Sequence, residues 1–127
     1  MGGSKPNAMI FCYTPVEFND IPKTTELGAI VKQLPAELNS IDFVDKNTPP
    51  AFIWHTVEDE KVPVSNALRF AAKCLDFMIP FEIHVYEKGQ HGLSLNSDLT
   101  AYKLDHPGNV ETWVPMCIKW LNDLFNF

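Results

Sequence analysis

The sequence predicts an α/β fold built on an open parallel sheet. Three observations predict it. AMIFCY, opening at Ala8 and closing at Tyr13, and AFIWHT (Ala51–Thr56) are apolar runs of strand length with no polar alternation, the pattern of strands buried on both faces. A third run, FEIHVYE, alternates between apolar and polar residues. A segment of helical period lies between the second run and the third. Strand, helix, strand with ~15 helical residues between them makes a βαβ unit, whose crossover is right-handed and whose strands are parallel.

The elements follow in order. Thr14-Pro15 closes the first strand. Residues 16–48 are mixed: KTTELGAIVKQLPAELNS predicts one or two short helices broken at Pro35, and NTPP closes the segment. The expectation is a cap or insertion inside one domain that spans 1–127, itself whole or part of a larger one. After AFIWHT comes the acidic loop VEDEKVP. Val64, Leu68, Ala71, Ala72, Leu75 and Met78 then form one stripe at helical period, predicted to face the core. Ser65 or the Val-Pro entry starts this helix and Pro80 ends it. In FEIHVYE, Phe81, Ile83 and Val85 share one face, with Glu82, His84 and Tyr86 on the other. Alternation of this kind predicts a strand near an edge, with its polar face in water. The last helix carries Trp113, Cys117, Leu121 and Leu124 on one face. Pro115 fits only in a first turn, which puts the start near Glu111 or Thr112.

Composition bounds the function. At 127 residues, 46% of them hydrophobic, the chain can bury a real core. Ten basic against sixteen acidic residues give a net charge of −6. Nucleic-acid binding, which needs a clustered basic surface, is not expected. No apolar stretch reaches the ~18 residues of a membrane span, and MGGSKPNAM has no signal-peptide core. Pro6 breaks the myristoylation pattern. Cys12, Cys74 and Cys117 are odd in number and far apart. They read as buried reduced thiols, which suggests a reducing compartment and a cytoplasmic location. No cofactor is expected. A cation site from His55, Glu58, Asp59 and Glu60 is conceivable, but four neighbouring loop residues rarely close a coordination shell, so no metal is expected.

In open α/β sheets functional groups gather at the carboxyl ends of the strands. Two loops sit there. One follows AFIWHT and holds Asp59. The other follows FEIHVYE and holds His91 between Gly89 and Gly92, which let the backbone turn sharply and keep bulk off the imidazole. Neighbouring strands lie about 4.8 Å apart, so the two side chains are expected within hydrogen-bond reach. An Asp orienting a His is two-thirds of a nucleophilic triad. Glu58 and Glu60 read as surface charges, His55 as a packed or supporting histidine, His84 as exposed and His106 as a loop histidine.

At these residues a resemblance emerges. HTVEDEKVP followed by YEKGQHGL resembles the C-terminal half of the α/β-hydrolase superfamily, and most closely its acetyl esterase and acetylxylan esterase-like carboxylesterases. Their acid sits in a D-x-x-V-P loop, matched by Asp59 to Pro63, and their base in a G-x-H-G-L/F loop, matched by Gly89 to Leu93. KPNAMIFCYTPV is similar to the strand after the nucleophile helix, TPPAFIWHT to the strand that delivers the acid, and TWVPMCIKWL to the closing helix. The resemblance implies catalytic roles for Asp59 as acid and His91 as base.

It also implies a serine on a G-x-S-x-G elbow upstream of both, and no such motif occurs in these residues. Ser4, in GGSK, has no strand before it, and Pro6 stands where a small residue is needed. Ser94 lies on the histidine's own loop. Neither serine is expected to be the nucleophile, and the oxyanion-hole donors that come with the elbow are missing with it. A fragment, a truncated gene and a non-catalytic descendant would all read this way. Two functions therefore stay open: the acid–base portion of a serine esterase, inactive alone, whose complete form takes small-molecule esters, acetylated sugars possible among them; and a non-catalytic α/β module that self-associates. A peptidase relative is a third reading. The open edge of AMIFCY predicts a homodimer through residues 8–13 or aggregation.

Overall fold

The computed structural model describes residues 4–35, 39–95 and 109–126. Its strands are β1 (Met9–Cys12), β2 (Ala51–Thr56) and β3 (Phe81–Tyr86). Its helices are α1 (Glu26–Val31), α2 (Ser65–Asp76) and α3 (Trp113–Phe125). Short 3-10 turns occupy Phe18–Asp20, Ser40–Phe43 and Asn109–Thr112. The sheet order is β1-β2-β3, with both pairs parallel. Met9 stands opposite Ala51, and Ala51 opposite Phe81. This is the α/β arrangement with parallel strands expected from the sequence. No helix of the described residues is long and apolar enough to cross a membrane. His106 lies outside the described residues.

β2 organises the molecule, because all six of its residues are buried. Ala51 and Ile53 pack with Ala67, Phe70, Ala71 and Cys74 of α2. Phe52 and Trp54 pack on the opposite face with Leu93, Val110 and Cys117, and with the partly buried Trp113 and Trp120 of α3. Trp54 and Trp113 stack with ring centroids 5.2 Å apart. A strand covered on both faces has no use for polar alternation, which explains the unbroken run in the sequence. β1 has the same composition but a single strand neighbour among the described residues, and Ile10 stays 44% exposed.

The buried face of α2 differs from the expected one. Leu68, Leu75 and Met78 are exposed, Met78 at 90%, while Ala67, Phe70, Ala71 and Cys74 are buried. The helix carries two apolar stripes a fraction of a turn apart. The stripe with the smaller residues faces the sheet because Ala67 and Ala71 let the helix backbone approach it closely. The helix ends as the sequence suggests, although the cap is unusual: Met78 adopts φ 55°, and Ile79 N–H returns to the Cys74 carbonyl at 2.9 Å, a left-handed cap without glycine.

The face of β3 expected in water is partly covered. His84 is half-buried, not exposed: its Nε2 meets Glu82 Oε1 at 2.7 Å, and its ring lies 5.2 Å from that of Phe52. The Tyr86 hydroxyl meets Thr112 Oγ1 at 3.1 Å. The 3-10 turn and α3 return over this side of the sheet, which alternation within β3 alone does not reveal. α3 itself follows its expected pattern, with Pro115 at its third residue, where no intrahelical N–H is needed.

Residues 16–48 are tied to the sheet layer through Asn66, which has no solvent exposure. Its Oδ1 accepts from Val16 N–H at 2.9 Å and Glu17 N–H at 2.8 Å, and its Nδ2 donates to the Pro63 carbonyl. Asn66→Ala strands two main-chain donors at once. The expected loss is about 2–4 kcal/mol of unfolding free energy, read as a lower urea midpoint at unchanged slope; a midpoint equal to that of the parent chain would refute this account of the segment's attachment.

Candidate active site

Asp59 and His91 reach each other from the carboxyl ends of adjacent strands. After β2 the chain makes a tight turn in which Asp59 Oδ1 accepts from Lys61 N–H at 2.9 Å and Val62 N–H at 2.8 Å. These two bonds fix one carboxylate oxygen and leave the other facing the sheet end. There Oδ2 meets His91 Nδ1 at 2.8 Å. The Asp59 side chain is fully buried, whereas that of His91 is 25% exposed. A second imidazole lies on the same oxygen: His55 Nε2 is 3.4 Å from Asp59 Oδ2 and 2.8 Å from the Val62 carbonyl.

The electrostatics follow from this shell. Burial pushes the pKa of Asp59 up, and the hydrogen bonds from His55, His91 and Val62 N–H outweigh it, holding the carboxyl well below the usual carboxylate range. An ionised carboxylate only accepts, so Nδ1 of His91 carries the proton and Nε2 is left as the basic nitrogen. Asp59, His91, Val57, Glu58, Glu60, Lys61 and Gln90 line a cleft of about 750 Å³.

The His91 loop is clamped at several points. Gly89 at φ 138° and Gly92 at φ 85° make the turns the sequence suggests. The Gly89 carbonyl accepts from Thr56 Oγ1 at 2.7 Å. A Cβ at Gly89 would stand 2.9 Å from Thr56 Cγ2 and closer still to Leu93 Cδ1. Glu58, read from sequence as a surface charge, is part of the clamp: its carboxylate accepts from Lys88 Nζ at 2.8 Å and from Gly89 N–H at 3.1 Å. Those two bonds, that from Lys88 the larger in effect, lower its pKa. Glu60 is exposed, as expected.

One further residue escaped the sequence reading. Tyr13, in a left-handed conformation at φ 43°, directly follows β1 and sets its ring edge against His91, with centroids 4.9 Å apart. Its other neighbour is Trp54, also at 4.9 Å, and its hydroxyl bonds to the Ser94 main chain. Burial, first among several causes, pushes the phenol up. Only the turned backbone brings this ring to the site, and no sequence signal marks that turn. Ser94 belongs to the loop's far anchor, its carbonyl accepting from Trp113 Nε1 at 2.8 Å. Ser4 is exposed near the amino end. Among the described residues, no group of three or more His, Cys, Asp or Glu side chains converges as a metal site would.

Comparison with known proteins places this chain in a family. Residues 8–106 match the prolyl oligopeptidase family. An endo-1,4-β-xylanase B of Butyrivibrio fibrisolvens is 47% identical over 55 residues, which are 43% of this chain and 9% of that protein. The structure of an acetyl ester-xyloside bifunctional hydrolase from Caldicellulosiruptor lactoaceticus superposes with a TM-score of 0.74 and 32% identity, over 94% of this chain and 43% of that one. A carboxylesterase from Lactobacillus plantarum superposes with a TM-score of 0.80 and 25% identity, over 95% of this chain and 46% of that one. The chain therefore spans less than half the length of each of these relatives. With its parallel sheet and the reach of this match, the chain belongs to the prolyl oligopeptidase family of α/β-fold serine hydrolases.

Proposed function

We propose that this chain supplies the acid and base of a serine esterase that acts on short acyl esters, acetylated sugars among them. The observation that carries the reading is the 2.8 Å bond between His91 Nδ1 and a fully buried Asp59 carboxylate. It leaves Nε2 of a partly exposed imidazole as the available base. In the reaction Nε2 takes the proton of a serine hydroxyl as that oxygen attacks the ester carbonyl. The same proton then passes to the departing alcohol as the tetrahedral intermediate collapses, and a second round with water releases the acid. Asp59 holds the imidazole in its Nδ1–H tautomer and stabilises the imidazolium formed in between. The serine and one oxyanion donor belong to a G-x-S-x-G elbow and the other donor to an earlier loop; these 127 residues do not contain that motif. The ester preference is supported by the relatives, of which one is an acetyl ester-xyloside hydrolase and one a carboxylesterase.

A second reading, a non-catalytic module that self-associates, is favoured by exposed apolar surface. Ile10 on β1, Leu68 and Leu75 on α2, and Met78 just after that helix are exposed. A groove of about 430 Å³ beside β1 is lined by Pro6, Met9, Phe11, Val44 and Phe70 among others. An open strand edge with apolar flanks is a template for pairing.

Three outcomes are expected. A polypeptide in which these residues follow a G-x-S-x-G elbow hydrolyses an activated acetate ester, and Asp59→Asn or His91→Ala lowers its kcat by roughly 10⁴-fold. The 127 residues alone give no saturable turnover; turnover that both substitutions abolish would show a nucleophile within them, with Ser94 the first to test. Sedimentation of the 127-residue chain shows dimers or larger species at micromolar concentration, and a monomer throughout, with β1 amides protected from exchange, would remove the second reading.

The depressed pKa of Asp59 sets a pH dependence. Its folded value lies below the unfolded one, near 3.9, so its stabilising contribution is complete above that pH. The contribution fades as pH falls toward the folded value. Between pH 5 and pH 2 the parent chain is expected to lose more stability than Asp59→Asn, measured by urea unfolding at each pH. Parallel losses in the two proteins would show that the carboxylate is not held as described.

A further inference from the structure

His55 has no solvent exposure, and its side chain does more than fill space. It lies beneath α2 with Phe11, Asn66, Ala67 and Phe70 around the same small cavity. A carbonyl oxygen only accepts, so the 2.8 Å contact between His55 Nε2 and the Val62 carbonyl places the imidazole proton on Nε2. That N–H also faces Asp59 Oδ2 at 3.4 Å. The other ring nitrogen, Nδ1, is buried and finds no hydrogen-bond partner among the described residues. An orphaned buried polar atom destabilises a fold, and an apolar side chain of similar volume would avoid it. The chain carries that cost where a leucine would pack, which points to what Nε2 does.

Three contacts close a ring. His55 Nε2–H donates to the Val62 carbonyl, Val62 N–H donates to Asp59 Oδ1 at 2.8 Å, and Asp59 Oδ2 faces His55 Nε2 again. Val62 has no exposed surface, so no bulk water replaces a lost partner of its carbonyl. We propose that His55 is a positioning residue for the Asp59–His91 pair, pinning the Val62 peptide and flanking Asp59 Oδ2 so that this oxygen stays aimed at His91 Nδ1. The proposal rests on the reading of Asp59 and His91 as acid and base. Without the His55 N–H, the carboxylate keeps its Oδ1 anchors but loses the contact that fixes its rotation about them. The His91 proton then loses its aligned acceptor, and solvent exchanges it faster.

The test is solution NMR on the full 127-residue chain with ¹⁵N-labelled histidine, following the exchange of the His91 Nδ1-bound proton with water. Asp59→Asn serves as the control that lacks the carboxylate. His55→Leu is expected to speed exchange about tenfold or more, the scale of one hydrogen bond to a charged group. His55→Gln, whose amide N–H can reach the place of Nε2, is expected to restore slow exchange. His55→Asn, polar but too short, is not. An exchange rate in His55→Leu equal to that of the parent overturns the proposal. Should that variant fail to fold, the Gln and Asn variants decide: equal rates in the two overturn it, and slower exchange in the Gln variant upholds it. None of these readouts needs a nucleophile. Absence of ester turnover in an elbow-bearing polypeptide, with the His91 proton still dependent on His55, would overturn the acid–base reading alone. Turnover with unchanged exchange in His55→Leu would overturn the role of His55 alone.

Discussion

One buried carboxylate organises the carboxyl end of this sheet. Asp59 is surrounded by donors: two main-chain N–H groups on Oδ1, and two imidazoles facing Oδ2. Burying a charge in this way is unfavourable unless its lone pairs are met. Here the turn after β2 and the loop after β3 each supply part of the shell. The carboxylate is thus the joint between two loops that would otherwise be independent. The tautomer of His91, and with it the availability of Nε2, is set by that joint and not by the His91 loop alone.

The sheet makes the joint possible. Parallel pairing of β2 with β3 in register, Thr56 opposite Tyr86, puts the two loop origins side by side. Thr56 then reaches the Gly89 carbonyl and Glu58 reaches Gly89 N–H, so the loops are tied at their roots before Asp59 and His91 meet. The aromatic layer of Trp54, Trp113 and Tyr13 supports the assembly from the α3 side. The α2 side supplies Asn66 and the packing around His55. Each face of β2 therefore feeds a different part of the site.

Much of this was legible from the chain alone, for identifiable reasons. AMIFCY, AFIWHT and FEIHVYE are strands because strand period and apolar content are local properties. The Asp59 and His91 loops could be placed because both follow such strands in a βαβ unit. What stayed hidden depends on tertiary choice. Two apolar stripes that share Ala71 compete on α2, and only the approach to the sheet decides for Ala67, Phe70 and Cys74 over Leu68 and Leu75. His84 reads as exposed until α3 returns over it. Glu58 looks like any solvated acid until Lys88 and Gly89 come within reach. Tyr13 enters the site through a positive φ at a non-glycine residue, a conformation that composition gives no reason to expect.

Gly89 has a consequence for how the chain can vary. Its main chain sits at φ 138°, a region that residues with a Cβ rarely enter. The space a Cβ would need is already taken by Thr56 and Leu93, both of them buried. Backbone strain and steric overlap therefore penalise every replacement together, and no single compensating change relieves both. Gln90, one residue on, is exposed and bears neither constraint. Substitution in this loop has a sharp boundary between adjacent positions. Drift can recolour the rim of the cleft at Gln90, but at Gly89 it has no intermediate step to take.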